Sequence, residues 1–198
     1  MWRGELVVLM LLALTAFVAT AATPIDPELR NALELAFEQD DGFEDRFTAE
    51  VWLLDMSTRL DRLANGTERL SGRLRDHQER IDILRGTHRE ATRAGLDPNL
   101  VLAVIEVEST FDRYAISRSG AQGLMQIMPF WLRELGLDDA NLMDIDINLR
   151  MGCTILRHYL DREKGNVARA LARYNGSLGE PDYPRKVLRA QRQHWYTF

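Results

Sequence analysis

The chain has 198 residues, 45% hydrophobic and 28% charged, which suits one soluble domain with an extension rather than two full domains. Its net charge is −5, and no basic stripe is present to neutralise phosphates, which argues against nucleic-acid binding. The excess is local: Thr23 to Ala94 holds 16 acidic and 11 basic residues, whereas Gly95 to Phe198 holds 13 of each.

Residues 1–22 read as a targeting segment. Arg3 gives a positive start, Leu6 to Val18 is almost unbroken Leu, Val, Ala and Phe, and Ala19-Thr20-Ala21 offers small residues for cleavage. The apolar run is about 17 residues, near the lower limit for crossing a bilayer. A cleaved signal peptide is the first reading and a retained membrane anchor the second. Both export the body of the protein.

Residues 23–80 read as a helical extension. Asp26 to Gln39 places Leu29, Leu33, Ala36 and Phe37 on one face, and Asp40-Asp41-Gly42 breaks it. A second helix is expected from Glu44 to Ala64, closed by the turn signal Asn65-Gly66. Met56, Leu60, Leu63, Thr67, Leu70, Leu74, His77, Ile81, Leu84, His88 and Ala91 nevertheless continue in steps of four and three. That pattern suits helices packed on the following body, or else a dimerising coil.

The stretch Asp97 to Pro129 carries the chemistry. Asp97 can cap a helix whose first position suits Pro98, and Leu100 to Val107 is apolar except for Glu106. Glu108 falls at the end of that helix. Loss of water and the negative end of the helix dipole should both raise its pKa, as a general acid requires. Glu106 lies about 200° away around the helix and is read as an ion-pair or rim residue. Asp112 would share the side of Glu108 only if the helix continued, and Ser109-Thr110-Phe111-Asp112 reads instead as an exit turn. Beyond it, Ser117, Gly120, Ala121 and Gly123 lead into Leu124-Met125-Gln126-Ile127-Met128-Pro129. Small residues beside an amide and two thioethers suit a sugar-lined cleft.

Later elements are helical as well: Pro129 to Leu135, closed by Gly136, and then Asp146 to Glu163 with a wide apolar surface. Gly152 inside that second helix suggests close helix packing. Asn166 caps a helix bearing Val167, Leu171 and Tyr174, and a last one begins near Pro184 and carries Val187, Leu188, Gln191 and Trp195. No run alternates with period two, so the class is mainly α. Cys153 reads as a buried, inert thiol, and the histidines at 77, 88, 158 and 194 lack metal-ligand spacing, so no metal is expected.

Taken together, the Glu-Ser-Thr-Phe stretch at 108–111, the run from Ser117 to Pro129 and Tyr174-Asn175 resemble the soluble-lytic-transglycosylase (SLT) domain of family 1. The resemblance covers 81–198 and implies a lysozyme-like fold acting on peptidoglycan glycan strands without a cofactor. It implies a single catalytic residue, Glu108, which protonates the bond between N-acetylmuramic acid and N-acetylglucosamine. The same residue then draws a proton from the muramyl 6-hydroxyl to close a 1,6-anhydro ring. Ser117 and Tyr174 would orient the acid or the substrate acetamido group, and Gln126 and Met128 would line the sugar subsites. Ser109, Gly123 and Asn175 would be structural near the site. The implied place is the periplasm, with membrane association through residues 1–22 if the anchor is kept. Two other readings compete: a muramidase that finishes with water, and a peptidoglycan-binding scaffold.

Overall fold

The computed structural model describes residues 26–38, 46–66, 74 and 76–196, so the apolar segment 1–22 and the expected break at 40–42 lie outside the described residues. Among the described residues there are eight α-helices and one π turn. They are α1 (Pro27–Glu38), α2 (Arg46–Gly66), α3 (His77–Arg93), α4 (Pro98–Glu108), α5 (Phe130–Glu134), α6 (Ile145–Arg162), α7 (Val167–Tyr174) and α8 (Asp182–Ala190), with the π turn at Gln191–Trp195. The mainly α expectation holds. The described residues contain only isolated bridges, Ile116 to Gln122 and Gln122 to Ile127.

The catalytic candidate stands at the end of the most buried helix. Asp97 caps α4 through a bond from the Asn99 amide, and Leu100 to Ile105 are all buried. α3, α8 and the π turn pack around α4, while α6 packs against α1, α3 and α7.

The N-terminal helices pack on this body, as the first reading of the seam expected. α1 sets Leu29, Leu33 and Ala36 against α6, and Asp26 ties its start to His158 and Arg162. α2 lies on α3 and the π turn, with Met56 and Leu60 fully buried and Trp52 Nε1 donating to Asn99 Oδ1 at 2.9 Å. Of the seam, Met56, Leu60, Leu74, Leu84 and Ala91 are buried within the chain, whereas His77 is exposed. Thr67 and Leu70 lie outside the described residues.

Two glycines mark close approaches. A Cβ on Gly86 of α3 would sit 2.8 Å from Leu149 Cδ1 of α6, so the two helices cross tightly there. A Cβ on Gly152 would meet Met125 Sδ at 2.3 Å. The neighbour at Gly152 is therefore the loop after α4 and not another helix. Two boundaries also differ from the sequence reading. The side chain capping α6 belongs to Asp144, whose Oδ1 accepts from the amides of Asp146 and Ile147, with Asp146 itself in the first turn. The last helix starts at Asp182 and ends in the π turn, which buries Trp195.

Candidate active site

Glu108 is the last residue of α4, and the chain then leaves the helix abruptly. Thr110 and Phe111 have φ of 55° and 57°, in the left-handed region. Asp112 is thereby turned out of the helix, and its Oδ1 accepts from the Tyr114 amide at 3.0 Å. Glu106 faces the other way, with its carboxylate 2.9 Å from His194 Nδ1 and accepting from Trp195 Nε1 at 2.8 Å. Among the three carboxylates of this stretch, Glu108 is the one in a pocket.

That pocket is an open cleft of ≈ 350 Å³ between α4 and α8. Val107, Asn175, Ser177, Tyr183 and Lys186 line it beside Glu108. Burial raises the Glu108 pKa, and hydrogen bonds from Tyr183 and the Asn175 side chain oppose that rise without cancelling it. The Tyr183 hydroxyl donates to Glu108 Oε1 at 2.6 Å, which fixes the rotation of the carboxyl group. Two exposed carboxylates, Glu180 and Asp182, line the same pocket. A larger cavity of ≈ 590 Å³ lies around Trp52 and His88 between α2 and α3. It is remote in the chain from the motifs, so the smaller cleft is the better candidate.

The other sequence candidates are arranged differently from each other. Tyr174 is close enough for the Glu108 charge to add to the rise that burial imposes on its own pKa. Its hydroxyl, however, donates to the Met125 carbonyl at 2.7 Å, so the bond to the acid comes from Tyr183 and not from Tyr174. Asn175, expected to be only structural, lines the cleft and bonds the acid. Ser117, Gln126 and Met128 do not line it. Ser117 Oγ accepts from the Ala121 amide at 3.0 Å and lies 2.9 Å from Ser119 Oγ. Gln126 Nε2 donates to the carbonyls of Gly123 and Ala115 at 2.9 and 3.2 Å. Both side chains therefore shape their own loop, while Met128 is exposed at the loop's end. Ser109 is a helix-end residue, with Oγ donating to the Ile105 carbonyl at 3.1 Å. Gly123 has φ of +77° and no room for a side chain: a Cβ would lie 2.2 Å from Asn148 Nδ2.

Two residues were missed. Tyr183 sits one α-helical turn before Val187 on the buried face of α8, a period that could have marked it as inward-facing. Asn148 is a buried amide among Ile145, Leu149 and Met151 on α6. Its Oδ1 accepts from the Met125 amide at 2.8 Å, and its Nδ2 donates to the carbonyls of Gln122 and Leu142. It pins the motif loop to the core, and a polar residue on so apolar a face was the available signal. Cys153 is fully buried, and burial pushes its thiol pKa well up, as an inert thiol requires.

Residues 87–193, more than half of the chain, match the Transglycosylase SLT domain family. The chain belongs to that family. Over 101 residues it is 38% identical to a protein called Transglycosylase from Enterobacteria phage PRD1, covering 48% of this chain and 37% of the phage protein. Over 48 residues it is 48% identical to a membrane-bound lytic murein transglycosylase C of Edwardsiella ictaluri (strain 93-146), covering 24% of this chain and 12% of that one. A solved structure of an inactive mutant of lytic transglycosylase Slt from Pseudomonas aeruginosa aligns with a TM-score of 0.43 and 27% identity, over 54% of this chain and 21% of that one. The chain thus spans little more than a third of the phage relative and about an eighth of the bacterial one. The SLT match begins inside α3, so α1 and α2 lie outside it.

Proposed function

We propose that this SLT-family chain is a lytic transglycosylase of peptidoglycan, with Glu108 acting first as acid and then as base. The observation that carries this reading is the setting of Glu108: a half-buried carboxyl of raised pKa at a helix end, opening on a cleft and held at one oxygen by Tyr183. The names of the relatives support the substrate class.

In the first step Glu108 gives its proton to the glycosidic oxygen between N-acetylmuramic acid and N-acetylglucosamine, and the C1–O bond breaks. The substrate's acetamido group stabilises the cationic centre. Glu108, now a carboxylate, keeps its place through the Tyr183 and Asn175 donors. It then takes the proton of the muramyl 6-hydroxyl as that oxygen bonds to C1, so the residue ends as it began and no water is consumed. An oriented neighbouring hydroxyl can outrun bulk water, since effective molarities reach about 10⁵–10⁸ M. Met128, exposed beside the motif loop, would contact sugars outside the cleft. The apolar residues 1–22 support export to the compartment that holds the substrate, the periplasm, with the anchor as the alternative to cleavage.

A specific observation favours a second reading. Glu180 and Asp182 line the same cleft, and a second carboxylate is what a hydrolase needs to activate water. The test is digestion of purified peptidoglycan followed by mass analysis. Fragments ending in 1,6-anhydro-N-acetylmuramic acid, one water lighter than hydrolysed ones, are expected. Free reducing ends as the main species would promote the muramidase, and bound but uncut glycan would promote the scaffold.

A further inference from the structure

The backbone exit after Glu108 is strained and needs support. Thr110 and Phe111 are consecutive non-glycine residues with left-handed φ, a state that persists only where the surroundings hold it. The support is the C-terminal segment. Fully buried Trp195 lies against the Phe111 ring at 5.6 Å between centroids, and its Nε1 donates to Glu106 on the catalytic helix. Trp195 ends a π turn, a rare form often found at functional sites. That turn is itself held by α2. Arg59 Nη1 donates to the carbonyls of Tyr196 at 2.9 Å and His194 at 3.4 Å. Arg59 Nε bonds both carboxylate oxygens of Asp55 at 3.0 Å, which keeps the guanidinium aimed at the turn. Arg59 and Trp195 both fall outside the residues matched to the SLT family.

We propose that Arg59 is a positioning residue for the reaction: through the π turn and Trp195 it fixes the exit from the catalytic helix, and with it the aim of Glu108. This rests on the reading of Glu108 as the acid. α2 is then a strut for the active site as well as a cover for the core. Without the clamp Trp195 can shift, Phe111 can relax, and the last turn of α4, which Glu108 ends, loses its fixed geometry. Apart from Val107 and Glu108 at the end of α4, the residues lining the cleft belong to α8 and the segment before it, so binding is less affected than the aim of the acid.

The experiment compares the full chain with Arg59→Met and Arg59→Lys on soluble glycan strands of defined length, below the melting temperature of each. The expected result for Arg59→Met is a folded protein whose kcat falls about tenfold, less than the roughly 10²-fold that a 1 Å misplacement costs. KM should stay within about twofold, the pattern of an interaction felt in the transition state and not in binding. Arg59→Lys, which keeps a donor for the turn carbonyls, should recover part of the loss. A folded Arg59→Met with wild-type kcat overturns the proposal, as does a loss that only tracks the unfolded fraction, or a lysine variant no better than methionine. If Arg59→Met does not fold, Asp55→Asn loosens the same guanidinium and should give the same split at smaller amplitude, and wild-type kinetics there overturn the proposal. Glu108→Gln run in parallel separates the two readings. Retained activity in that variant sinks the acid assignment itself, whereas an inactive Glu108→Gln beside an unaffected Arg59→Met sinks only the clamp.

Discussion

The Tyr183 hydroxyl reaches across 75 residues of chain to donate to Glu108 Oε1 at 2.6 Å. This contact stabilises the charged carboxylate more than the neutral acid, so it holds the Glu108 pKa below the value that burial alone would give. Tyr183→Phe removes it, and the pKa rises further. The proposed first step needs the protonated acid, so activity falls as pH climbs through that pKa. The alkaline limb of kcat/KM should therefore move to higher pH in Tyr183→Phe, with the rate at the optimum lowered about tenfold for the loss of one hydrogen bond to a charged group. A pH–rate profile of both proteins checks this. A limb that moves to lower pH would mean that the titrating group is not Glu108.

Glu108→Gln keeps the shape of the side chain but has no proton to give and take back. The loss should approach the upper end of the usual 10²–10⁴-fold for general acid–base catalysis, because in the proposed reaction one group serves both steps. Glu106→Gln should cost far less, since its amide oxygen still accepts from Trp195 Nε1. Stability should move the opposite way from activity. A carboxyl whose folded pKa is raised binds its proton more tightly in the folded state. Stability therefore drops as pH rises from the ordinary value of 4.5 towards the raised one, and stays lower above it. At neutral pH Glu108→Gln should melt above the wild type, as calorimetry can show.

The motif loop predicts a different kind of failure. Asn148 makes two hydrogen bonds to backbone groups of the loop, at Gln122 and Met125, and a third to the Leu142 carbonyl before α6, and Gly123 presses against it with φ of +77°. Asn148→Leu strands those groups in the core at about 1–3 kcal/mol for each one left unsatisfied. Gly123→Ala adds both a strained φ and overlap with the Leu142 carbonyl. Both variants should lose melting temperature and activity together, unlike Glu108→Gln.

The same loop shows what the sequence could convey. Asp97, Pro98 and the apolar run after them made α4 and the terminal position of Glu108 legible, because capping and burial are local signals. The exit turn was legible too, though its left-handed Thr110 and Phe111 were not, since neither residue type favours that conformation. Ser117, Gln126 and Tyr174 were visible as motif residues, yet their partners were not. A side chain that bonds its own loop and one that faces a ligand carry the same letter. Tyr183 and Arg59 act across 75 and 137 residues of chain, and nothing in local spacing joins such pairs. The packing of α1 and α2 was legible as an apolar face but not as a support for the site, since that depends on what the face meets.

The last prediction concerns the joint between α3 and α6. Glu90 has no exposed surface and sits among Arg93 Nε at 2.7 Å, Arg150 Nη2 at 3.0 Å and Arg89 Nε at 3.2 Å. Burial pushes its pKa up, but the hydrogen bonds and charges of Arg150 and Arg93 outweigh that and leave it below the ordinary 4.5. A carboxyl depressed in this way contributes stability that is fully present above 4.5 and is lost as pH falls through its folded pKa. Glu90→Gln keeps the volume and removes the charge, leaving the arginines facing a neutral amide. Breaking a buried ion pair from one side costs about 3–5 kcal/mol. For a chain of this size that is roughly 10 °C in melting temperature at neutral pH. The variant should also lose less of its remaining stability than the wild type between neutral and strongly acid pH, because the group that titrates is gone. Equal acid sensitivity in the two proteins would show that Glu90 is not a principal source of the wild type's acid lability. An unchanged melting temperature at neutral pH would show that the arginine cluster is stabilised by its other partners, among them Asp146, which Arg89 Nη2 meets at 2.6 Å.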